Sequence, residues 1–586
     1  MAKWLMHAKR ADFKDIANKL NIDQVIARIM VNRGLNSLED MEQFIHPNYK
    51  KIAGNPNDFK DMSKAVDMLK EAIESGEKIR IIGDYDVDGI MSTYILFSAI
   101  LRCNGQVDYA IPHRVEDGYG VNPNMVRAAY DEGVRFIITC DNGIASKDAV
   151  QLGKKLGMTF VITDHHDIPF VETDGIKQYI LPAADAIVNP KQSDCGYLYK
   201  NICGAQVAWK LVCVLYEAFG ISETEADSFL QYAAFACICD VMELTGENRA
   251  VVSQGLKELS NTENIGLDAL IRILNLKDKD IKAFHVGFVL GPCFNASGRL
   301  DTATRAIELL LEKDENRAFA IAGELVSLNE QRKTMTLKGI ERAAEIIENQ
   351  NLAKDPVLVI YDPLLHESLA GIVAGKIKEK YYHPTIVITD GEECAKGSGR
   401  SIEGYHMYDE LTKVKELFTK YGGHPMAAGL SISSDKIDEL RIRLNDNCTL
   451  EEDALQEIIR IDVPMPLEYI SEELVKELEL LEPFGNGNPK PVFAINDAKI
   501  LRASYMGKEK QYLRMVLETE LGTTLSGVLF SDVGDFAECV DKRHGVGSFD
   551  GLISGKESVE LDLTYYPQIN EYKGNRSLQI VVDKYK

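Results

Sequence analysis

Acidic and imidazole side chains directly follow three apolar stretches of the sequence. Apolar runs that begin near Arg80, Phe136 and Val161 each end in such residues. They are Asp84, Asp86 and Asp88 after the first run, Asp141 after the second, and Asp164, His165 and His166 after the third. Near-continuous Val/Ile runs are typical of buried parallel strands, and ligands bind beyond the carboxyl ends of such strands. The sequence therefore predicts one polynuclear metal site at the edge of a parallel sheet.

This ligand set favours phosphoryl chemistry. Carboxylates and imidazole suit Mn²⁺ or Mg²⁺, and shared carboxylates hold two such ions about 3.5–4 Å apart. Two metal ions held in this way promote in-line attack on phosphorus, because a bound water loses its proton at neutral pH and the attacking and leaving oxygens are both stabilised. We expect Gly89 to free the backbone for an irregular loop that turns Asp86 and Asp88 toward the site. Asp141 is placed to bridge the ions, and Asp240 adds an acid at the end of an apolar helix.

Each motif also has an ordinary structural interpretation. An Asp-X-Asp-Gly sequence is often a turn or a helix cap, and a histidine pair in a loop is usually solvated. Asp141-Asn-Gly143 is also compatible with a plain turn, and Asp240 with an ordinary acid at a helix end. The common position of the motifs after predicted buried strands favours the metal site.

The composition limits the class of protein. A chain of 586 residues is expected to form several domains, and 45% apolar residues with 18 prolines fit globular domains with full cores. A net charge of −24 excludes a uniformly basic surface, although a local arginine groove or bound cations can still attract a polyanion. The 11 cysteines include no Cys-X-X-Cys pair, which argues against a zinc ribbon and favours a reducing compartment. Because no apolar run approaches the roughly 20 residues of a membrane span and no signal peptide is evident, we expect a cytoplasmic protein.

The remaining pattern predicts an α/β fold. Strands are predicted near 79–83, 106–111, 134–140, 158–163 and 185–189, with helices near 90–103, 122–132 and 146–156. This alternation predicts right-handed crossovers and a parallel sheet. Residues 1 to about 50 have a helical pattern, helices dominate from about 203 to 350, and 314–350 is predicted to be one long helix.

A smaller α/β segment and a β domain complete the pattern. Strands at 357–361 and 385–389 flank a helix at 368–381, and the glycine-rich sequence 422–429 is predicted to form a turn. After one further helix and the Gly/Asn/Pro-rich sequence 482–489, only strand-like alternation remains. This alternation predicts a small β-barrel of the OB type.

Three arginines occur where a phosphate can approach. Arg114 follows a predicted strand, whereas Arg299 and Arg400 lie beside glycine and serine, which add backbone and hydroxyl donors to the guanidinium fork. For each arginine alone, a solvated surface position is the alternative. The sequence Gly371–Lys376 is not a phosphate loop, because it is one residue short of that motif and has a helical pattern.

Aromatic and basic residues alternate in the predicted β domain. They are Tyr505, Lys508, Lys510, Tyr512 and Arg514, and later Tyr572, Lys573, Arg576 and Lys584. This composition suits a single strand of nucleic acid, whose bases stack while its backbone is neutralised, and is equally compatible with ordinary surface β structure. A local cationic surface would reconcile nucleic-acid binding with the acidic net charge.

The motifs together resemble those of the DHH phosphoesterase superfamily. Over nearly its whole length, the chain is similar to one family within it, the RecJ family of single-strand-specific DNA exonucleases. The resemblance implies the metal ligands Asp84, Asp86, Asp88, Asp141, His165 and Asp240. It implies that Asp141, His165 and His166 are catalytic and that the substrate is bound by Arg114, His166, Arg299, Ser398, Arg400, Gly423 and His424. The chain departs from the family at Ile82, where many members carry histidine, and at Cys293, where arginine is common.

The resemblance also implies a domain order and an activity. We expect a helical segment at 1–50, a parallel-sheet DHH domain at 51–313, a connecting helix at 314–350, a smaller α/β DHH-associated substrate-binding domain at 351–450 and an OB-fold nucleic-acid-binding domain at 451–586. The implied activity is 5′→3′ hydrolysis of single-stranded DNA to 5′-mononucleotides in DNA repair and recombination. The implied enzyme is a monomer with two Mn²⁺ or Mg²⁺ ions, and its implied partners are a single-strand-binding protein and a helicase. The alternatives are a DHH hydrolase of short oligonucleotides or cyclic dinucleotides, and a non-catalytic RecJ-related replication scaffold, which the retained ligand set disfavours.

Overall fold

The computed structural model describes residues 3–114, 117–118, 120–173, 176–572 and 574–586. The chain divides into two compact units. The terminal unit consists of Met1–Pro47, Gln456–Phe484 and Pro489–Lys586, and the central unit consists of Asn48–Leu455 and Gly485–Asn488. All the acids and histidines of the predicted metal site belong to the central unit.

A five-stranded parallel sheet occupies the first part of the central unit. Its strands, from edge to edge, are Gln106–Ala110, Lys78–Ile82, Phe136–Cys140, Thr159–Thr163 and Ala186–Val188. Every neighbouring pair is parallel, with Ile79 opposite Phe136 and Phe136 opposite Thr159. The three middle strands are buried on both faces, which explains their near-continuous apolar sequence. The predicted sheet is confirmed, and its strands begin and end within two residues of the predicted positions.

Helices connect these strands and continue the chain beyond them. Val87–Arg102, Pro123–Asp131 and Lys147–Lys155 join successive strands, as predicted. The predicted long helix is confirmed as Glu315–Asn349, and its first turn is capped by the Asp314 side chain. The other helices here are Tyr49–Ile52, Met62–Glu74, Gly204–Ala218, Glu223–Asp227, Leu230–Cys239, Gly246–Ser260, Ile265–Ile273, Ala283–His285, the π-helix Val286–Leu290, Gly291–Leu300 and Thr304–Leu311, and a hairpin pairs Phe170–Thr173 with Ile176–Tyr179.

A second, mixed sheet follows the long helix. Its strand order is Phe418–His424, Ala427–Ile432, Ala395–Arg400, Thr385–Thr389 and Leu358–Tyr361, and the last pair is parallel. The accompanying helices are Ala370–Tyr381, Met407–Thr412 and Ile437–Asn447. A turn is present within the predicted segment 422–429, but only at 425–426, because the flanking residues lie in the hairpin of the first two strands. A Cβ at Gly423 would lie 2.4 Å from Ala427 O, so glycine is required for the close pairing there.

The terminal unit contains a six-stranded sheet. Its strands, in order, are Val463–Pro464, Phe493–Met506, Tyr512–Glu518, Thr524–Leu529, Asn575–Tyr585 and Val559–Tyr572. Phe493–Met506 also pairs with Val559–Tyr572, so five of these strands pair in a closed ring. The helices of this unit are Phe13–Leu20, Gln24–Asn32, Leu38–Ile45, Glu472–Leu478, Val533–His544 and Ser548–Ser554. Side chains from the first three helices share one apolar core with the ring.

Two predictions for the terminal unit are wrong. The N-terminal segment is not helical throughout, because Lys3–Met6 is a strand parallel to Ile458–Ile461, and its short, mostly exposed sequence gives no alternation. The C-terminal part is not all strand, because Val533–His544 and Ser548–Ser554 are helices, the first capped by the Asp532 side chain. Lys573, one of the predicted basic residues, lies outside the described residues. Across the described ranges, no helix has the length and apolarity needed to cross a membrane.

Candidate metal centre and phosphate cleft

The acids of the first motif lie between a strand and a helix. Asp86 is the N-cap of Val87–Arg102, and its Oδ1 accepts hydrogen bonds from the backbone N–H groups of Asp88 and Gly89 at 3.0 and 3.2 Å. Asp88 therefore lies in the first helical turn rather than in the irregular loop that we predicted. Gly89 is helical, and its role differs from the predicted one: a Cβ there would lie 2.4 Å from Asp84 O, so glycine allows the Asp84 backbone to pack against the helix.

A second helix orients Asp88. Its carboxylate accepts hydrogen bonds from Gly204 N at 2.6 Å and Ala205 N at 2.7 Å, at the beginning of Gly204–Ala218. The exposed N–H groups of a helix N-terminus favour a negative charge at this position. Burial nevertheless raises the pKa of Asp88 to about 6. Sequence reasoning missed Gly204 and Ala205, because backbone donors leave no side-chain signal.

Asp141 occupies the end of the neighbouring strand. It is 2% exposed and has φ 60°, and its N–H donates to Thr163 O at 3.1 Å. The side chain of Asn142 donates to Cys140 O at 3.0 Å and to Ile82 O at 3.2 Å, which fastens two adjacent strand ends together. The backbone bends at Asp141, and the turn considered for this sequence lies just beyond it, where Ser146 N donates to Gly143 O at 3.0 Å.

Asp164 fixes the histidine pair. Its carboxylate accepts hydrogen bonds from the backbone N–H groups of Ile144, His165 and His166 at 2.9, 2.7 and 3.0 Å. His166 Nδ1 lies 2.8 Å from the same carboxylate. Burial acts to lower the pKa of His166, but the hydrogen bond and charge of Asp164 raise it to about 9. His166 is therefore a cation at neutral pH in the metal-free protein, and Asp164 orients it.

The acids and His165 converge on one small volume. His165 Nε2 lies 3.0 Å from Asp141 Oδ1, 3.5 Å from Asp88 Oδ2 and 3.8 Å from Asp240 Oδ2. Three groups have ligand atoms within 4.8 Å of one another, namely Asp141 with His165 and His166, Asp88 with His165 and Asp240, and Asp84 with Asp86 and Asp141. His165 and Asp141 each belong to two groups, so the groups form one continuous cluster.

The electrostatics of this cluster favour a bound cation. Burial, followed by the neighbouring acids, raises the pKa values of Asp84 and Asp141 well above the usual range and that of Asp240 to about 8. Burial also lowers the pKa of His165 to about 3, which keeps its imidazole neutral. Asp84 Oδ1 and His165 Nε2 are buried without a hydrogen-bond partner. Buried carboxylates and a neutral imidazole are a donor set that fits Mn²⁺ or Mg²⁺.

Arginines form a second, cationic group in the central unit. The Arg114 guanidinium lies 4.8 Å from the centre of the Tyr85 ring, beside the first motif. Arg299 donates from Nη1 to Ser368 O at 2.7 Å, and burial, followed by the charge of Arg114, lowers its pKa to about 10. Burial, and then Arg114, also lowers the pKa of Arg400. Because the charge of Arg114 lowers the pKa values of both Arg299 and Arg400, the three guanidinium groups lie close enough together to favour an anion.

Ser398, Arg400 and a helix N-terminus form one corner of this group. Arg400 Nη1 donates to Ser398 Oγ at 3.0 Å, and a Cβ at Gly371 would lie 2.7 Å from Arg400 Nη2 and 2.9 Å from Ser398 Oγ. Gly371 lies in the first turn of Ala370–Tyr381, whose exposed N–H groups favour an anion. The sequence is helical, as predicted, but sequence reasoning missed that Gly371 makes room for Arg400.

Besides Ser398 and Arg400, two more predicted substrate residues lie on the second sheet. Two other residues lie near the arginine group. Gly423 and His424 are exposed at the end of Phe418–His424. Burial acts to raise the pKa of Asp167, but Lys191, at 3.0 Å, lowers it. The charges of His424 and His166 add to this lowering, so both histidines lie near Asp167. Cys293 is buried and faces Asn329 of the long helix. Arg332, which sequence reasoning missed inside a charged helix, donates to Asn329 Oδ1 at 3.0 Å and helps to lower the pKa of Arg299.

Three protein-family models match the chain. They are the DHH family, N-terminal domain, at residues 78–237, the DHHA1 domain at 354–449 and the RecJ OB domain at 461–584. The chain is 32% identical over 587 residues to the single-stranded-DNA-specific exonuclease RecJ of Haemophilus influenzae, covering 97% of each chain. It is 35% identical over 515 residues to the protein of the same name from Bacillus subtilis, covering 86% of this chain and 63% of the length of that relative.

Solved structures have the same fold. The crystal structure of RecJ in complex with Mn²⁺ from Thermus thermophilus matches with a TM-score of 0.80 at 24% identity, covering 100% of this chain and 79% of that one. A crystal structure of exonuclease RecJ bound to manganese matches with a TM-score of 0.58 at 30% identity, covering 68% of this chain and 96% of that one.

Proposed function

The chain belongs to the RecJ family of single-stranded-DNA-specific exonucleases, and from this membership we propose that it is a metal-dependent 5′→3′ exonuclease. Its substrate is single-stranded DNA, its products are 5′-mononucleotides, and its processes are DNA repair and recombination. The observation that carries the proposal is the convergence of three overlapping ligand groups at one end of the parallel sheet. The arginine group in the same compact unit supports a polyanionic substrate.

We assign the metal ligands from these groups and leave out His166, because its Nδ1 is bonded to Asp164. They are Asp84, Asp86, Asp88, Asp141, His165 and Asp240, with Mn²⁺ or Mg²⁺ as the cofactor. Asp141 lies in two of the groups, which supports its role as a bridge between two ions. Two such ions, when bound, supply a deprotonated water for attack and stabilise charge on the attacking and leaving oxygens.

The chain's own cations hold the phosphates. Protonated His166, oriented by Asp164, donates to the scissile phosphate and so is catalytic together with Asp141 and His165. Arg400, Ser398 and the backbone N–H groups at Gly371 form a further phosphate site. The other substrate residues are Arg114, Arg299, Gly423 and His424.

The terminal unit has a surface suited to single-stranded bases. Tyr505 is 44% exposed, and the Lys510 ammonium lies 5.8 Å from the centre of its ring. Tyr512 packs edge to face against Phe530, which is 52% exposed and was missed in the sequence because it stands alone in a loop. Aromatic faces with nearby cations bind single strands without reading their sequence.

The activity test uses long DNA carrying different labels at its 5′ and 3′ ends, in single- and double-stranded form, with Mn²⁺ or Mg²⁺. We expect the 5′ label to appear in mononucleotides from the single strand, while the 3′ label stays in a shortening strand. The variant Asp141→Asn is the control for contaminating nuclease. Cleavage restricted to dinucleotides or cyclic dinucleotides would contradict the proposal and favour a hydrolase of short substrates.

We further propose that the protein acts in the cytoplasm as a monomer and receives strands from a helicase and a single-strand-binding protein. Light scattering of the full chain at micromolar concentration measures the oligomeric state, and a stable dimer would contradict the proposed monomer. Adding a single-strand-binding protein to the nuclease assay tests that partner, and the expected result is faster degradation of long strands.

A further inference from the structure

The backbone directly after Asp240 has an unusual conformation. Val241 has φ 56°, which lies in the left-handed region and is rare for a β-branched residue. Its side chain is 64% exposed, so side-chain burial does not offset the backbone strain. A conformation of this kind persists only where the surrounding structure fixes it. At the start of the turn 241–244, Val241 N donates to Ile238 O at 3.2 Å and Met242 N donates to Cys237 O at 3.1 Å, so the preceding helix holds this end.

A loop from a distant part of the sequence holds this turn. Gly485–Asn488, hereafter the Asn486 loop, belongs to the same compact unit as Asp240. Asn486 donates from Nδ2 to Val241 O at 2.9 Å, and its own carbonyl oxygen accepts from Leu244 N at 2.7 Å. One residue thus bonds to both ends of the turn.

The Asn486 loop is shaped for close approach to the turn. Gly485 N donates to Asn488 O at 2.9 Å and Asn488 N donates to Gly485 O at 3.2 Å, which closes the loop on itself. A Cβ at Gly485 would lie 2.7 Å from Leu244 Cδ1. Gly487 has φ 72°, and a Cβ there would lie 3.1 Å from Glu243 Cβ. Larger residues at either glycine would push the loop away from the turn.

The Asp240 carboxylate is held differently from its neighbours in the metal centre. Asp86 and Asp88 each accept two backbone hydrogen bonds, which fix their carboxylates directly. In the part of the chain that the structure describes, no hydrogen bond orients the Asp240 carboxylate, and its pKa is set by burial and nearby charges. Its distance of 3.8 Å to His165 Nε2 therefore depends on the backbone on both sides: the preceding helix, where Asp240 N donates to Ala236 O at 2.8 Å, and the turn that follows.

We propose that the Asn486 loop is a positioning element for the metal centre. Together with the helix-end hydrogen bonds of Val241 and Met242, it holds Val241 in its left-handed conformation, and so keeps Asp240 beside His165 and Asp88. This role rests on the proposed function, because it assumes that these three residues bind a metal ion. The hydrogen bonds of Asn486 to this turn go to Val241 and Leu244, so we assign it a role that acts through Asp240.

The test is a double-mutant cycle on the full chain with Asn486→Ala and Val241→Gly. Calorimetric titration measures Mn²⁺ affinity, and steady-state assays on a short single-stranded oligonucleotide separate kcat from KM. We expect Asn486→Ala to raise the Mn²⁺ Kd about tenfold and to lower kcat with little change in KM. Adding Val241→Gly should restore most of the affinity, because glycine adopts a positive φ readily and no longer needs the loop.

Asn445→Ala is the matched control. Asn445 makes two side-chain hydrogen bonds to the backbone of Val357, far along the sequence, in the same unit but away from the metal centre. We expect it to lower the melting temperature while leaving Mn²⁺ affinity unchanged. If Asn486→Ala does not fold, Asn486→Asp replaces it, because it keeps the size of the side chain and removes the Nδ2 donor.

The proposal is overturned if Asn486→Ala binds Mn²⁺ as tightly as the wild type, or no more weakly than Asn445→Ala. It is also overturned if Val241→Gly fails to restore affinity. A wild-type protein that binds Mn²⁺ but degrades no DNA would refute the proposed function and leave the positioning role to be judged by the Mn²⁺ affinities alone.

Discussion

Replacing Asp141 by asparagine should stabilise the protein without metal and destabilise it with metal. Asp141 lies among buried acids, and burial together with those acids raises its pKa well above the usual range. Asn keeps the shape of the side chain and removes its charge. It also tolerates the left-handed backbone at this position, where φ is 60°. The substitution therefore isolates the charge of one carboxylate.

The size of the effect follows from the distances. Ligand atoms of Asp84, Asp86 and Asp141 lie within 4.8 Å of one another. Two unit charges at that separation repel by roughly 3.5 kcal/mol at an effective dielectric constant of about 20. Partial protonation already relieves some of this repulsion. We therefore expect the free energy of unfolding of the metal-free variant to rise by about 1–3 kcal/mol, which corresponds to a rise in Tm on the order of 2–6 °C. Asp141→Ala should gain less, because alanine in a left-handed conformation costs about 1–2 kcal/mol.

Thermal melts with EDTA and with Mn²⁺ test this reasoning. A bound ligand at 100 times its Kd adds about 2.7 kcal/mol to stability, so Mn²⁺ should raise the wild-type Tm clearly. It should raise the Tm of Asp141→Asn much less, and the order of stability should invert between the two conditions. A variant that melts below the wild type in EDTA would refute the repulsion argument. Equal stabilisation of both proteins by Mn²⁺ would refute Asp141 as a ligand.

Three further predictions concern other parts of the protein. Raising the pH from 6.5 to 9 should lower the Tm of the metal-free protein. The pKa values of Asp240 (about 8) and His166 (about 9) in the folded state exceed those in the unfolded state, so the folded state binds more protons in this range. A constant or rising Tm would count against these two raised pKa values. Tyr505→Ala and Phe530→Ala should each weaken binding of a long single strand about 5- to 150-fold, as measured by fluorescence anisotropy in Ca²⁺, and unchanged affinity would exclude base stacking there. Gly371→Ala should lower kcat/KM on single-stranded DNA about tenfold or more, because the added Cβ would displace Arg400 Nη2. The Mn²⁺ affinity should be unchanged. Full activity would exclude the phosphate site at the beginning of Ala370–Tyr381.

The sequence predicted those parts of the site that depend on local pattern. Val/Ile runs identified the parallel strands, and acids directly after them must lie at one edge of the sheet whatever the detailed packing. The alternation of strands and helices and the long helix at Glu315–Asn349 are likewise local patterns. The separate roles of the triplet were less accessible, because the four hydrogen bonds of Asp164 depend on the exact path of the turn.

Contacts between distant residues could not be predicted from local pattern. Asp88 is oriented by the N–H of Gly204, which is 116 residues away, and Asn486 bonds to Val241 across 245 residues. Gly371 has a helical sequence whose role appears only when Arg400 is brought beside it by the second sheet. The two C-terminal helices interrupt a strand pattern, and their apolar residues at helical spacing are too few to outweigh the surrounding alternation.

We propose that three strand ends and one helix end build a single centre for two metal ions. Electron paramagnetic resonance of the metal-free protein titrated with Mn²⁺ tests it most directly, because two ions sharing a carboxylate are magnetically coupled. We predict two Mn²⁺ per chain with a coupled spectrum, and at most one isolated ion with a six-line spectrum in Asp141→Asn. A single isolated ion in the wild type, or the same coupled spectrum in the variant, would contradict a two-metal centre bridged by Asp141.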